Sequence, residues 1–229
     1  MANALVDRNE WRRLLQASAV VVAAVVLLQP LSTAAAFPII EPVDEAARQP
    51  DFLSFRNSLQ AAVAERDVEV LLRSVHPDIR NTFGDDNGIE AFRRLWRLDE
   101  PDSDLWAELG TVLRLGGTFE GPDSFVAPYV FSHWRGEFDA FDHVAVIGST
   151  VRVRSAPTTE SAILTTLSYQ ILRLGGDRGY PQRPWTAVLL PDGREGFVAA
   201  SLVRSPVDYR AYFVRTDERW QMTLFVAGD

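Results

Sequence analysis

Apolar residues in the first half of the chain recur at the three-to-four spacing that one buried face of a helix requires. In the first such stretch they are Phe52, Phe55, Leu59, Ala62 and Val63. A second short helix is predicted over residues 68–75. Pro77 is expected to end it, because a proline disfavours helical geometry in the preceding residue, here His76.

Two further helices follow in the same half. Asn87 is predicted to cap the first by accepting from backbone amides while Glu90 reaches back three residues. The buried stripe of that helix is Ile89, Phe92, Leu95 and Trp96. The stripe of the next is Leu105, Trp106, Leu109, Val112 and Leu113. Gly116-Gly117 is expected to end the last helix, since left-handed geometry costs glycine little.

The second half changes to the period of two that strands show. Val151 and Val153 alternate with arginines, and the turn Asp192-Gly193 lies between two strand-like runs. Short strands separated by Gly, Pro and Asp turns are typical of a small antiparallel barrel. The sequence therefore predicts such a barrel over residues 144–206.

The tail, residues 207–229, forms a separate pattern. Strands are predicted over residues 209–214 and 219–226, with a turn between them. Burying large apolar side chains is worth about 1.5–3 kcal/mol each, so this hairpin must pack against something. The helical part, residues 51–143, has few strands beyond residues 125–131. The predicted fold class is α+β: a helical N-terminal part completed by the C-terminal hairpin, with the barrel inserted between them.

The N-terminus has the pattern of an export signal. Arg12 and Arg13 precede an apolar run that ends at Ala34-Ala35-Ala36. A basic start, an apolar core and small residues before a cleavage point describe a secretory signal peptide over residues 1–36. The alternative is an uncleaved anchor, since the run approaches the roughly 20 residues that span a bilayer. Residues 37–50 contain three prolines and side chains of both charges, and are predicted to be a linker.

Composition excludes several chemistries. The net charge of −8 argues against a nucleic-acid partner, and no membrane span is expected after signal cleavage. All 23 basic residues are arginine, which removes the lysines of phosphate loops and Schiff bases. The absence of cysteine removes thiolate nucleophiles and disulfides. No catalytic residue and no cofactor is predicted.

Residues 144–206 resemble the bacterial Src-homology-3 (SH3-like) family. The resemblance rests on these motifs in order: Val151-Arg152-Val153-Arg154-Ser155-Ala156-Pro157, Leu167, Trp185, Val188, Asp192-Gly193 and Gly196-Phe197-Val198. Arg152 stands where the family has asparagine, and Phe197 where it has a second tryptophan. The whole chain also resembles a proteobacterial group of exported SH3-domain proteins with no established activity. The helix-then-sheet order of the remainder resembles nuclear-transport-factor-two-like cones.

The SH3 resemblance implies a binding or targeting module of the cell envelope. The candidate binding residues are Arg152, Arg154, Trp185 and Phe197. Trp185 has two interpretations, either core packing or a ligand-binding groove. The predicted function is a non-enzymatic periplasmic or secreted protein whose barrel recognises a peptidoglycan peptide or an envelope protein. The alternative is a small-ligand or enzymatic site in the cone-like domain, using buried carboxylates.

A metal site is not predicted. Asp85-Asp86-Asn87-Gly88 invites a calcium interpretation, but placing Gly88 at the sixth loop position puts Arg94 where a bidentate Glu belongs. A turn followed by a helix is the better interpretation. The three histidines also lack the helical spacing of a zinc motif.

Overall fold

The structure is a computed structural model that describes residues 38–176 and 184–228. These residues form a mixed α/β protein with five helices and two β-sheets. The helices are α1 (Pro50–Glu65), α2 (Val68–Ser74), α3 (Ile89–Leu95), α4 (Leu105–Arg114) and α5 (Tyr129–Ser132). The strands are β1 (Val75–Arg80), β2 (Thr118–Phe119), β3 (Ser124–Ala127), β4 (His143–Val146), β5 (Val151–Arg154), β6 (Ile163–Leu167), β7 (Ile171–Leu174), β8 (Trp185–Leu189), β9 (Glu195–Ala199), β10 (Val203–Arg204), β11 (Arg210–Thr216) and β12 (Arg219–Val226).

The first sheet has five strands in the order β1-β12-β11-β3-β2. β11 and β12 pair antiparallel along their length, from Arg210 opposite Val226 to Thr216 opposite Arg219. β11 also pairs antiparallel with β3, and β12 pairs parallel with β1. The predicted C-terminal hairpin is therefore present, and it supplies two interior strands of this sheet.

An aromatic core joins the helices to this sheet. Phe52 of α1 is fully buried, and its ring centroid lies within 6.1 Å of five others. The five are Phe55, Phe119, Phe125, Phe213 and Trp220. Phe92 of α3 belongs to the same buried cluster. The hairpin thus packs against the helical N-terminal part, as the sequence predicts.

The second sheet has seven strands in the order β10-β4-β7-β8-β9-β5-β6, all paired antiparallel. Its core is aliphatic, built from buried valines and leucines such as Val153, Leu172 and Val188. Within the described ranges, β6 and β10 are the two edges and do not pair, so no closed barrel forms there. β10 holds only two residues before the chain leaves for β11, which leaves too little strand to bridge the edges.

The loop before α3 differs from the predicted helix cap. The Asn87 side-chain oxygen accepts hydrogen bonds from the backbone N–H groups of Asn81 at 2.8 Å and Thr82 at 3.2 Å. Its side-chain nitrogen donates to the carbonyl of Gly84 at 2.7 Å. The residue that precedes α3 is Gly88, and no side chain caps the helix. The predicted capping by Asn87 and Glu90 was wrong, because the side-chain amide of Asn87 bonds the backbone of the preceding loop instead of the amides of α3.

Two strand boundaries also differ from the sequence predictions. β1 runs through His76-Pro77, which are predicted only to end the second helix, and proline is tolerated there because β1 is an edge strand. The strand predicted over residues 125–131 ends at Ala127, and α5 follows it. Leu95, predicted in the buried stripe of α3, is 46% exposed.

Residues 38–50, predicted as a linker, make backbone hydrogen bonds to both halves of the molecule. Ile40 is buried, and its N–H donates to the carbonyl of Tyr169 at 2.8 Å. The Ile171 N–H donates to the carbonyl of Pro38 at 2.7 Å. The Glu45 N–H donates to the carbonyl of Gly117 at 2.9 Å. This segment is therefore held against the loops that precede β7 and β2.

The predicted signal peptide, residues 1–36, lies outside the described residues. Its cleavage and the alternative of an uncleaved anchor both stay predictions. In the described ranges, no helix has the length and apolar character that crossing a bilayer requires.

Candidate functional site

Strand alternation places the four predicted binding residues on one face of the seven-stranded sheet. Val151 and Val153 point into the aliphatic core, so Arg152 and Arg154 lie on the opposite face of β5. In the same way, buried Val198 leaves Phe197 on the outer face of β9. Trp185 of β8 pairs with Ala199, two residues beyond Phe197. It therefore lies on that outer face as well, where it is half-buried.

These residues border a shallow concavity of about 380 Å³, which we call the Trp185 groove. Its lining is Gly148, Ser149, Thr150, Val151, Arg152, Arg154, Thr159, Trp185, Ala199 and Leu202. Three of the four predicted residues thus line one groove. Phe197 lies on the same face but outside the lining, opposite Arg154 and Ala187 in the strand register.

The two arginine side chains of the groove differ in their contacts: Arg154 is hydrogen-bonded, whereas Arg152 has no partner among the described residues. The Arg154 guanidinium donates through Nη1 to the carbonyl of Ser161 at 2.7 Å, which fixes it to the β5–β6 loop. Arg152 is exposed and forms no ion pair or side-chain hydrogen bond with any described residue. Hydrogen bonds from the hydroxyls of Thr158 and Thr159 lower the pKa of Glu160 to about 2. The loop beside Arg154 therefore carries a carboxylate that stays ionised at physiological pH.

A glycine sets the spacing of the strands beneath the groove. A Cβ at Gly196 would come within 2.5 Å of Val153 Cγ1, closer than side chains pack. The glycine lets β9 pair closely with β5, with no side chain of its own against Val153.

In the loop Asp85-Asp86-Asn87-Gly88, considered above as a calcium site, the side chains of Asp86 and Asn87 bond to other groups of the protein. Asp86 forms an ion pair with Arg94 of α3. Asn87 bonds the loop backbone as described above. Across the part of the chain that the structure describes, no three His, Asp or Glu side chains group to hold a metal ion.

A larger concavity, of about 700 Å³, lies between α4 and the chain from residue 200 to residue 209; we call it the α4 cleft. Its lining is Trp96, Asp104, Ala107, Glu108, Thr111, Arg114, Ile147, Ala200, Ser201, Val203, Arg204, Asp208 and Tyr209. An ion pair between buried Arg204 and partly exposed Glu108 crosses it at 2.8 Å. Sequence reasoning missed this pair because its members are 96 residues apart and neither belongs to a recognisable motif.

Comparison of the chain with protein-family models, with curated proteins and with solved structures finds no match. The resemblances to SH3-like domains and to nuclear-transport-factor-two-like cones therefore stay predictions, as do the roles of the groove residues.

Proposed function

We propose that this protein is a non-enzymatic binding protein of the bacterial cell envelope, exported to the periplasm or beyond. In this proposal the segment 144–206 is an SH3-like module inserted into the helical half. Its Trp185 groove recognises a peptidoglycan peptide or an envelope protein. The observation that carries the proposal is that Trp185 lies on the sheet face opposite the aliphatic core.

The composition of the groove supports this proposal. A tryptophan provides a broad surface that a ligand can cover, and aromatic residues and arginine often dominate interface energies. Arg152 adds a cation with no partner among the described residues, suited to a carboxylate on the ligand. Arg154 is fixed by Ser161, so it shapes the groove at little entropic cost when a ligand binds.

Support for binding over catalysis comes from the residues themselves. The chain has no lysine or cysteine, and the groove lining holds neither a carboxylate nor a histidine. General acid–base catalysis commonly uses one of these groups within reach of the substrate.

The test is co-sedimentation of the chain lacking residues 1–36 with purified peptidoglycan, together with its capture of partners from envelope extract. Trp185→Ala and Arg152→Ala should lose most of the bound material. Arg219→Ala is the matched control, since Arg219 is exposed on β12 and has no ion pair with a described residue. Wild-type binding by both groove variants would contradict the proposal.

Thermal melting separates binding from folding in the same variants. Because Trp185 lies outside the aliphatic core, Trp185→Ala should melt close to wild type. Loss of a core tryptophan costs about 3–5 kcal/mol. A loss of that size in Trp185→Ala would instead assign Trp185 to core packing.

A further inference from the structure

The α4 cleft is elongated along its helix. Asp104, Glu108 and Thr111 line it, and Arg114 lines its far end, at the spacing of one helix face. Ten residues of helix between Asp104 and Arg114 correspond to about 15 Å. The opposite wall comes from β10 and the residues around it. The cleft therefore has two ends with different side chains.

A partly buried ion pair between Arg204 and Glu108 lies at the centre of the cleft. The Arg204 side chain is 6% exposed, and its Nη2 donates to Glu108 Oε1 at 2.8 Å and to the carbonyl of Tyr209 at 2.6 Å. Because the guanidinium of Arg204 is buried, leaving it without its carboxylate partner would be costly, which favours the paired arrangement. Glu108 is one-quarter exposed, and its second oxygen has no hydrogen bond with a described residue. That oxygen can accept a hydrogen bond from a ligand N–H.

One end of the cleft is aromatic and acidic. The rings of Trp96 and Tyr209 lie 4.9 Å apart between centroids. Burial, and secondarily Glu108, raises the pKa of Tyr209, so its phenol stays protonated. Asp104 forms no ion pair with any described residue. The hydroxyl of Ser103, the residue before Asp104, donates to the carbonyl of Trp96 at 2.5 Å, which links the start of α4 to Trp96. Aromatic faces beside a carboxylate favour an ammonium group.

The other end of the cleft is cationic. Arg114 closes α4, is exposed, and forms no ion pair with any residue that the structure describes. Ile147 lines the cleft and belongs to the same apolar cluster as Leu115, which follows Arg114. An unpaired guanidinium beside an apolar surface suits a carboxylate.

We propose that the α4 cleft binds a short linear peptide as a zwitterion, with the ammonium group at Trp96 and Asp104 and the carboxylate at Arg114. About 15 Å corresponds to four or five extended residues at about 3.3 Å each. A cleft of about 700 Å³ also lies in the range of small-ligand sites. A ligand with one sign of charge would match only one end, so charge complementarity sets both the class of ligand and its direction.

This site is separate from the Trp185 groove. The two concavities adjoin at the short turn Ala200–Leu202 and at Ile147–Gly148, where Ile147 lines the cleft and Gly148 lines the groove. No residue belongs to both linings. Peptide binding in the α4 cleft can therefore be tested separately from ligand binding in the Trp185 groove.

Calorimetric titration of the chain lacking residues 1–36 with three forms of tetra-alanine tests the proposal. The free zwitterion should bind saturably. The N-acetylated form and the C-amidated form should each bind about tenfold more weakly, because each loses one charged contact of about 1.4 kcal/mol. Equal affinity for the three forms, or no saturable binding at millimolar peptide, overturns the proposal.

Two exposed variants assign the direction of the peptide. Asp104→Asn should erase the preference for a free N-terminus and keep the preference for a free C-terminus. Arg114→Gln should do the reverse. Asp217→Asn and Arg219→Gln remove the same charges at exposed positions without ion pairs among the described residues, and should leave both preferences unchanged. The opposite assignment of the two variants would show that the proposed direction is wrong.

Trp185→Ala tests whether the α4 cleft and the Trp185 groove bind their ligands independently. It should bind tetra-alanine as the wild type does, even if it no longer binds envelope material. Loss of tetra-alanine binding in this variant would overturn the separation of the two sites.

Discussion

The two halves of this protein build their cores in different ways. The helical half buries a cluster of aromatic rings contributed by segments as far apart as α1 and the C-terminal hairpin. The seven-stranded sheet buries valines and leucines from one continuous segment, 144–203. The first core is centred on aromatic rings, whereas the valine and leucine core of the second sheet contains no aromatic side chain among the described residues.

This difference separates aromatic residues that are needed for core packing from those that are not. Phe52 and Trp220 are buried among other rings, so truncating either should cost stability. Trp185 and Phe197 lie on the outer face of the second sheet, so truncating them should cost binding first.

Deleting residues 207–229 should unfold the helical half. The deletion removes β11 and β12, and with them Phe213, Trp220, Met222 and Phe225 from the aromatic core. Each such burial is worth about 1.5–3 kcal/mol, so the sum approaches the whole stability of a typical domain, about 5–15 kcal/mol. Circular dichroism should lose its helical signal and the melting transition should broaden or vanish. An intact helical signal with an unchanged melting temperature would show that the hairpin is not part of this core.

Single truncations compare the two cores directly. Phe52→Ala should cost about 3–5 kcal/mol, because it empties the centre of the ring cluster. Val153→Ala should cost less, about 1.5–3 kcal/mol, because it removes a smaller buried side chain. Urea unfolding at constant m-value measures both.

Phe141→Ala and Ile163→Ala are the exposed controls for these truncations, at 62% and 49% exposure. They should stay within about 0.5 kcal/mol of the wild type. A larger loss from Val153→Ala than from Phe52→Ala would reverse the comparison between the two cores.

Local pattern was sufficient for α1 to α4 and for the hairpin, but not for α5, which lies where a strand is predicted. The spacing of Phe52, Phe55 and Leu59 predicts α1 because helix periodicity lies within one segment. The alternation around Met222 predicts β12 for the same reason. Alternation also predicts that Arg152 and the valines beside it face opposite sides of the sheet.

Features that depend on distant partners could not be predicted. β1 contains a proline, and its one strand partner among the described residues is β12, about 145 residues later. The open edges of the seven-stranded sheet follow from strand order, which no single run of residues encodes. The Trp185 groove also needs Ala199 and Leu202 beside β5, and the α4 cleft needs Arg204 beside Glu108. Tertiary packing, rather than local propensity, forms both concavities.

The smallest predicted effect concerns the contact between Asp51 at the start of α1 and the hairpin. Asp51 Oδ2 accepts from Trp220 Nε1 at 2.9 Å and from Arg215 Nη1 at 3.1 Å. These contacts, led by the bond from Trp220, lower the pKa of Asp51 in the folded protein. A depressed carboxylate pKa stabilises the fold above the unfolded value, about 3.9, and this contribution is lost as the pH falls through the folded value. Asp51→Asn should therefore melt below the wild type at pH 7, and the difference should shrink between pH 4 and pH 2. Asp217→Asn, with the same charge change and no ion pair among the described residues, should show no such pH dependence. A difference between Asp51→Asn and wild type that stays constant down to pH 2 would mean that the Asp51 charge does not join the helix to the hairpin.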